Sequence, residues 1–474
     1  MEHMIVFLPG IMGSVLQKDR RDVWALSGQA LWGYLSSLGL SIQELKLTAV
    51  DNLADDLGDG IKATRLIEDL HTIPGICEHA GYRHILNEIP DHLGMETGSI
   101  LQSSPRANFF PFPYDWRRDN RVSAKELKKF IDKQLPIYRE ASGARKAQVI
   151  LIGHSMGGLV ARYYVEMLGG WESCRALITI GTPHRGAIGA LDAISNGFKK
   201  RIDDFSDLVR SFSSTYQLLP IGQVVDVDGA FVRVAESPKP LPNVDQERAK
   251  EARDEFHVAM KEAHDKRKDQ ANYRQLLIPW AGTRQDTHQS ARHMGNKVLP
   301  CYDPPLGLHA DLADGDGTVP RVSATPPGLE NKQLERFAVE RHGWLTNDKI
   351  TLDPLLSTLQ QLGADEITSA MQGGSATAEP SIALGLRLES CVAEGATTVG
   401  VRVHGANDPF EVKLQITHRE SRAQLDDRLI TVQPGELALA EFDGLETGLY
   451  AVEVGAARRK YRGPTNVHGV FEVV

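Results

Sequence analysis

A short motif near residue 150 constrains the fold of this chain more than any other feature. Gly153-His154-Ser155-Met156-Gly157 has the pattern G-x-S-x-G, and it stands between the apolar run Val149–Ile152 and a helical stretch that begins at Leu159. A strand, a sharp turn and a helix in this order lift a serine clear of a sheet, and the two glycines remove side chains that would clash in the turn. The motif therefore predicts Ser155 as a nucleophile, and the alternative is a turn that merely needs small residues.

Further apolar runs predict a parallel sheet. From Ile5 to about residue 365, short apolar runs alternate with helical patterns such as Ser123–Arg139 and Gly157–Leu168. Runs without polar alternation suit strands that helices cover on both faces, and such a series implies a doubly wound α/β domain, here assigned to residues 1–370. The predicted strands are Ile5–Leu8, Val149–Ile152, Ala176–Ile180, Leu276–Trp280 and Phe337–Val339.

Two later regions depart from this rhythm. Within residues 190–275, apolar residues recur at helical spacing between Ala249 and Ala263, which predicts an amphipathic helix in a cap or lid insertion. The helix either packs on its own domain or meets a membrane surface or partner. Residues 371–379 are small and polar, as in a linker. Residues 380–474 carry period-two apolar runs between turns, which predicts an all-β sandwich, an accessory or docking module whose partner the sequence does not identify.

A serine nucleophile needs a histidine base and an orienting carboxylate, which follow it in the order acid, then histidine, in this type of sheet. Asp314 and Asp316 lie in a glycine-containing turn, and His342 comes just past the apolar run at 337–339. The residues alone therefore predict His342 as the base and leave both aspartates open as the acid. His184 lies upstream of both acids, which favours a structural or pocket-lining role.

The oxyanion of a serine-centred reaction needs two amide donors, one after the nucleophile and one in a loop after an early strand. The turn that follows Leu8 contains Gly10 and Gly13, which allow the main chain to approach a substrate oxygen closely. We therefore predict the amides of Ile11 and Met156 as the donors, the alternative for Ile11 being an ordinary turn.

Composition excludes several classes of protein. The 474 residues include 41% hydrophobic and 24% charged residues, as in an ordinary globular protein, and 53 basic against 62 acidic residues give a formal charge of −9. Such a balance gives no electrostatic reason to bind nucleic acid. The four cysteines have no metal-ligand spacing, so neither a metal nor a cofactor is predicted. The absence of a signal peptide or a long apolar segment predicts a cytoplasmic location.

Six segments occur in one order along the chain: Leu8–Ser14, Phe112–Arg117, Gly153–Gly158, Gly181–Pro183, Gly315–Pro320 and His342-Gly343. Together they resemble the lecithin:cholesterol acyltransferase family of α/β-hydrolases, which includes lysosomal phospholipase and the phospholipid:diacylglycerol acyltransferases. The resemblance covers roughly residues 4–362 and leaves the C-terminal region outside it.

The resemblance implies Ser155 as nucleophile, Asp316 as acid and His342 as base, and it supports Ile11 and Met156 as oxyanion donors. It also implies an early lid segment at about residues 20–80. Trp24 and Trp32 lie there, either at a lipid surface or buried against the cap. The chain departs from the animal enzymes, since it has no secretory leader and Cys77 has no nearby partner for their lid disulfide. The aromatic cluster Phe109–Tyr114 is predicted to be core and pocket wall.

The predicted function is that of a serine-dependent lipase, phospholipase or acyltransferase that cleaves lipid acyl esters through an acyl-enzyme. One alternative is an esterase acting on small or non-phospholipid esters. Another, from a different class, is an inactive hydrolase-fold scaffold whose sandwich binds a partner.

Overall fold

A computed structural model describes most of the chain. The described residues are 1–25, 43–48, 53–68, 71–73, 77–79, 81–197, 199–200, 203–268, 270, 276–329, 335–364, 381–388, 391–392, 397–419, 421, 423–457 and 464–473. The predicted linker at 371–379 and Trp32 lie outside these residues, as does the side chain of Cys77.

The described residues up to 364 contain both strands and helices. The strands are β1 (Met4–Leu8), β2 (Ser14–Lys18), β3 (Arg21–Trp24), β4 (Ile61–Leu66), β5 (His71–Ile73), β6 (Cys77–His79), β7 (Phe109–Pro111), β8 (Val149–His154), β9 (Cys174–Ile180), β10 (Lys199–Lys200), β11 (Asp203–Asp204), β12 (Val225–Val227), β13 (Ala230–Val232), β14 (Leu276–Gly282), β15 (Ser290–His293), β16 (Val298–Cys301) and β17 (Arg336–Ala338). The helices are α1 (Arg83–Leu93), α2 (Asn120–Ser142), α3 (Met156–Met167), α4 (Ile188–Ser195), α5 (Ser206–Ser211), α6 (Ser213–Tyr216), α7 (Gln246–Glu251), α8 (Ala259–Arg267) and α9 (Lys349–Gly363). A π-helical stretch, Ala252–Val258, joins α7 to α8, and 3₁₀ turns lie at Gly170–Glu172, Val234–Glu236, Ala310–Leu312 and His342–Trp344.

Six parallel strands form the central sheet of the described residues, in the order β17–β14–β9–β8–β1–β7. Five of them are the strands that the apolar runs predict. The sixth, β7, lies in the aromatic cluster that the sequence assigned to core and pocket wall. Its three residues are too few to reveal a period, and a parallel strand buried on both faces has no polar alternation to mark it.

Helices cover both faces of this sheet. Side chains alternate along each strand, so the apolar strands present apolar side chains on both faces, and each face is buried against helices. Met4, Val6 and Leu8 of β1 belong to a hydrophobic cluster with residues of α2 and α3. Ile5 and Phe7, which point the other way, belong to a second cluster with residues of α1 and α9. The predicted doubly wound α/β class is therefore confirmed.

The parallel direction brings several loops to one edge of the sheet. The carboxyl end of β1 leads into the turn that contains Ile11, the end of β8 leads into Ser155, and the end of β17 leads toward His342. In an open parallel sheet this edge is where ligands bind, since the loops that follow different strands converge there. Three residues that are far apart in the chain are thus placed near one another.

The amphipathic stretch predicted within the insertion at 190–275 packs on its own domain. Phe256 and Met260 are fully buried in the cluster that contains α3, and the Phe256 ring stacks on Tyr163 with centroids 5.4 Å apart. A separate cluster joins residues of the insertion to Ala291 and Val298, because β12 pairs with β15. Among the described helices, none is long and apolar enough to span a membrane.

Antiparallel strands fill the described C-terminal residues and form the predicted β-rich region. They are β18 (Ala383–Arg387), β19 (Cys391–Val392), β20 (Thr397–His404), β21 (Phe410–His418), β22 (Gln424–Val432), β23 (Leu437–Phe442), β24 (Gly448–Ala456) and β25 (Val467–Val473). One sheet has the order β18–β20–β23 and the other β19–β25–β24–β21–β22, in which only the β19–β25 pair is parallel. Leu386 and Val401 of the first sheet share a core with Leu414 and Phe471 of the second.

This sandwich lies against the loops that follow β14 and β17. Val339 is buried in the sandwich core, and the next residue, Glu340, is fully buried. The ring of His468 in β25 donates from Nδ1 to Glu340 Oε2 over 2.9 Å, and the His468 amide donates to Glu340 Oε1 over 3.2 Å. A second ion pair, from Arg387 to Asp286, spans 2.6 Å. The contact is therefore both apolar and ionic.

The Glu340–His468 pair predicts a pH dependence of stability. Burial alone would lower the pKa of His468, but the hydrogen bond to Glu340 and the charges of Glu340, Asp348 and Glu453 outweigh it and raise that pKa. The stabilisation from a histidine with a raised pKa is complete below its unfolded-state value of about 6.5 and is lost as the pH rises through the folded-state value. Burial also raises the pKa of Glu340, so its contribution falls in the same direction.

We therefore expect the urea midpoint to fall as the pH rises from about 6 to about 9, and to fall less in His468→Gln. His293→Gln, at a partly exposed histidine of β15, is the control and should keep the wild-type slope. Equal slopes in wild type and His468→Gln would contradict the prediction.

Candidate active site

Ser155 lies at the turn between β8 and α3 in a strained conformation. Its φ is 51° and its ψ is −126°, values that non-glycine residues rarely adopt and that cost about 1–3 kcal/mol unless neighbours enforce them. Its amide donates to Ile180 O over 2.8 Å, which ties the turn to β9. A Cβ at Gly157 would lie 2.4 Å from Pro9 O and 2.6 Å from Leu8 O. Only glycine therefore lets the helix approach the end of β1.

His342 connects Ser155 to Asp316. His342 Nε2 lies 3.0 Å from Ser155 Oγ, and His342 Nδ1 lies 2.7 Å from Asp316 Oδ2. Since a carboxylate only accepts hydrogen bonds, Nδ1 carries the proton and Nε2 accepts from the serine hydroxyl. All three side chains are buried, with 8% of Ser155, 3% of His342 and 1% of Asp316 exposed. The structure thus brings together the three residues that the sequence singled out.

The turn that carries Asp316 holds its carboxylate in place. Asp316 Oδ1 accepts from the amides of Thr318 over 2.9 Å and Val319 over 2.6 Å, which leaves Oδ2 to face the imidazole. The amide of His342 donates to Asp316 O over 2.8 Å, so the two loops are also joined through the main chain. Gly317, which lies between Asp316 and Thr318 in this turn, has a φ of 90°, a left-handed conformation that favours glycine.

Asp314, the other acid that the residues left open, faces elsewhere. Its Oδ2 accepts from the amide of Arg284 over 2.8 Å, and its Oδ1 lies 3.9 Å from Arg321 Nη1. Two residues apart in the same turn, the aspartates thus point to different partners, and Asp316 is the one that meets His342.

The two predicted oxyanion donors lie beside Ser155. Met156 is the first residue of α3 and is fully buried, so its amide is among the first four of the helix, which have no acceptor within it. Ile11 lies in a turn closed by a 3.1 Å hydrogen bond from Gly13 N to Gly10 O. A Cβ at Gly10 would lie 2.9 Å from Ser155 Cβ, so this turn packs directly against the serine.

Behind Ser155 lies a buried chain of hydrogen bonds that the sequence did not predict. Gly10 N donates to the Tyr82 hydroxyl over 2.6 Å, Tyr82 Oη lies 2.9 Å from His154 Nδ1, and His154 Nε2 lies 3.2 Å from His342 O. Burial, together with the adjacent His342 ring, holds the pKa of His154 well below its usual range, so the His154 ring is neutral. A carbonyl only accepts, so Nε2 carries the proton and Tyr82 donates to Nδ1.

This chain links the turn of Ile11 to the loop of His342. Each member donates in the same direction, from the Gly10 amide through Tyr82 and His154 to the His342 carbonyl. Tyr82 lies 72 residues from each of its two partners, and no motif marks it in the sequence. His154 is a variable position of G-x-S-x-G, so its residue type carries no signal by itself.

His184 takes no part in this site among its described contacts. It is fully buried, and its Nε2 lies 3.2 Å from Thr179 Oγ1 in β9. Burial and the neighbouring Arg162 lower its pKa well below the usual range, which keeps the ring neutral. The structural role that the sequence favoured for His184 agrees with this position.

The aromatic segment after β7 has the two roles predicted for it. Phe112 and Tyr114 are buried, and they also line a cavity of about 460 Å³ between α2 and residues 55–63, which include the start of β4. Glu126 lines the same cavity, and burial together with the charge of Asp115 raises its pKa to about 7. Ser155 and its two partners do not line this cavity. Trp24 of the predicted early lid is partly buried, its Nε1 donates to Met12 O over 3.1 Å, and its ring packs on Trp116. Neither of these two partners belongs to the insertion at 190–275, so the contacts do not decide between the two environments predicted for the tryptophans.

Among the described residues, one group of side chains brings ligand-type atoms within 4.8 Å of one another: Glu340, Asp348 and His468. These atoms already have partners. Glu340 Oε2 accepts from His468, and Asp348 Oδ1 caps α9 by accepting from Ile350 N over 2.8 Å. Hydrogen bonding therefore accounts for this cluster.

Comparison with known proteins finds one family model that resembles part of this chain. Residues 102–272 match the model of the lecithin:cholesterol acyltransferase family. The match includes Ser155 and ends before Asp316 and His342. A curated relative, the uncharacterized protein YJR098C of Saccharomyces cerevisiae, is 28% identical over 183 residues, which are 39% of this chain and 23% of that protein. The chain thus spans about a quarter of the length of that relative.

Solved structures show weaker likeness. The lipase BlEst2 of Bacillus licheniformis in its propeptide form is 12% identical, with a TM-score of 0.32 over 99% of this chain and 93% of that one. The phospholipase PlaB of Legionella pneumophila is also 12% identical, with a TM-score of 0.31 over 98% of this chain and 90% of that one. Such low scores carry no information about the activity of this chain. The family match confirms the predicted resemblance to the lecithin:cholesterol acyltransferase family, on residues 102–272 of this chain.

Proposed function

We propose that the chain is a serine-dependent enzyme that cleaves lipid acyl esters through an acyl-enzyme, as a lipase, phospholipase or acyltransferase. The observation that carries the proposal is the buried series Ser155, His342 and Asp316, with contacts of 3.0 and 2.7 Å. Its geometry has the nucleophile within reach of a base and the base within reach of an orienting carboxylate. The family match supports lipid esters as the class of substrate.

In the first half-reaction, Ser155 Oγ attacks the ester carbonyl carbon while its proton passes to His342 Nε2. Asp316 holds the imidazole in the required tautomer and favours the imidazolium that forms. The amides of Ile11 and Met156 stabilise the oxyanion at the edge of the sheet. The tetrahedral intermediate then collapses, the carbon–oxygen bond of the ester breaks, and His342 returns the proton to the leaving alcohol or lysolipid.

The second half-reaction decides between hydrolysis and transfer. His342 deprotonates either water or an acceptor alcohol, which attacks the acyl carbon and releases Ser155. The first gives a fatty acid and the second a new ester. Both use the same three residues, so the choice depends on how much water reaches the acyl-enzyme. The insertion at 190–275 is the element that we propose to limit this access as a cap.

Substitution of the nucleophile tests the enzyme as a whole. Purified chain mixed with phosphatidylcholine vesicles should release fatty acid and lysolipid, or should acylate an added long-chain alcohol, and mass spectrometry separates these products. In Ser155→Ala we expect a loss of at least about a thousandfold, because no other group can form the acyl-enzyme. Equal product from wild type and Ser155→Ala, on vesicles and on a soluble short-chain ester, would favour the scaffold alternative. Serine-dependent activity on the soluble ester alone would favour the small-ester alternative.

The two aspartates of one turn give a matched pair of variants. Asp316→Asn should lower kcat by about 10⁴-fold, because the amide no longer holds His342 in the reactive tautomer. Asp314→Asn changes the same atoms two residues away and should keep kcat within a few-fold, since Asp314 faces Arg284 rather than His342. The ratio of the two kcat values on a soluble ester is the measurement. Comparable losses in both variants would contradict the assigned acid.

The polar chain behind Ser155 predicts a role for the Tyr82 hydroxyl. Tyr82→Phe removes the acceptor of Gly10 N and the donor to His154, and an unpaired buried group costs about 1–3 kcal/mol. We therefore expect kcat to fall about tenfold or more with little change in KM. Tyr164→Phe, which removes a hydroxyl bonded to Ser173 at the far end of α3, is the control. The prediction fails if the two variants lose stability equally and neither loses kcat.

A further inference from the structure

The loop that carries Asp316 is bonded to the sandwich through one glutamine. The main chain of Gln285 exchanges two hydrogen bonds with Gly315, of 3.0 and 3.2 Å. Its side-chain amide donates to Leu384 O over 3.2 Å and accepts from Leu386 N over 2.9 Å. β18 is an edge strand of its sheet, and the Gln285 amide occupies the position that the next strand would take. Gly315, the residue before Asp316, is thus connected to the sandwich by hydrogen bonds through the single residue Gln285.

The loop that carries His342 is bonded to the same strand. Arg341 Nη1 donates to Leu386 O over 3.0 Å, and only 5% of Arg341 is exposed. A Cβ at Gly317 would lie 3.3 Å from Arg341 Cζ, so the guanidinium covers the residue next to Asp316. Arg341, the residue that precedes the histidine base, therefore contacts both the sandwich and the acid loop.

The two residues before Arg341 are held as well. Val339 lies in the hydrophobic core of the sandwich, and the carboxylate of Glu340 accepts from the amide of Arg341 over 2.8 Å and from His468 in β25. Trp344, two residues after His342, stacks on the His468 ring with centroids 4.9 Å apart. Side chains on both sides of His342 are thus packed on the sandwich, whereas its ring points the other way, to Ser155.

We propose that the C-terminal sandwich is a positioning element for Asp316 and His342, and that Arg341 is the positioning residue that couples it to both loops. The proposal rests on the proposed function. It gives the sandwich a role in positioning the site loops, whereas the sequence suggested an accessory or docking module. The physical reason is that His342 must keep contacts of 3.0 and 2.7 Å at once. A displacement of about 1 Å can lower turnover by about a hundredfold.

Another contact of the interface provides a matched control. Arg387 of β18 forms an ion pair with Asp286 and lies over the Tyr302 ring, with its Cζ 4.4 Å from the ring centroid. It contacts the sandwich-facing side of the hydrolase region without touching Asp316, Gly317 or His342 among its described contacts. Arg387→Met and Arg341→Met therefore each remove a guanidinium from one interface, and only the second removes a contact with the site loops.

The experiment uses the full chain and a soluble short-chain ester, so that binding to a lipid surface does not enter. We expect Arg341→Met to lower kcat by about tenfold to a hundredfold with KM within about twofold, and to slow labelling of Ser155 by a fluorophosphonate to a similar degree. Arg341→Lys, which keeps a donor for Leu386 O, should restore part of the loss. Arg387→Met should keep kcat and the labelling rate, whatever its melting temperature.

The outcomes separate this proposal from the proposed function. A wild-type chain without Ser155-dependent turnover would contradict the proposed function. An active wild type whose Arg341→Met variant loses only melting temperature would contradict the coupling, as would equal losses of kcat in Arg341→Met and Arg387→Met. If Arg341→Met does not fold, Glu340→Gln takes its place. This variant removes the negative charge that pairs with His468 and keeps the shape of the side chain, so we expect the same loss of kcat with little change in KM.

Discussion

The rest of the structure depends on the hydrogen bonds that His342 makes on its two sides. They join residues 26 and 187 positions away, and both lie in a buried site. Loops so distant in sequence meet because the strands before them are parallel and end at one edge of the sheet. The apolar runs that form the strands therefore also decide where the polar groups gather. Ser155, Asp316 and His342 are buried at that edge, and burial strengthens each polar contact among them.

Burial makes the direction of each hydrogen bond in this site definite. Asp316 offers one oxygen to two amides and the other to the imidazole, and the chain from Gly10 through Tyr82 and His154 ends on the His342 carbonyl. A carboxylate and a carbonyl only accept, so the protons of both histidines are fixed by their partners. The main chain of His342 and its ring are thus held by separate groups. This arrangement stabilises one tautomer and one orientation of the base.

The sandwich belongs to the same set of constraints. Its edge strand bonds to Gln285 and Arg341, and its last strand holds Glu340, so the acid and histidine loops have the sandwich on their outer side and Ser155 on their inner side. Loops usually move more than the strands that they connect, and a base within a loop needs support from elsewhere. Here we propose that a second β region supplies that support. Ser155 does not need support from the sandwich, since the β8–α3 turn is fixed by close packing against the end of β1.

Local patterns in the sequence determined the parallel strands, the turn at Ser155 and the period-two strands of the sandwich, because each depends on residues within a few positions of one another. They did not reveal β7, whose three buried residues have no period. They also left Asp314 and Asp316 open, since both lie in one turn, and only the resemblance to a family favoured Asp316. Tyr82, Gln285 and Glu340 could not be found at all, because their partners lie 72, 101 and 128 residues away. Only the tertiary structure decided these contacts, for a hydrogen bond between distant residues leaves no periodic trace in a single sequence.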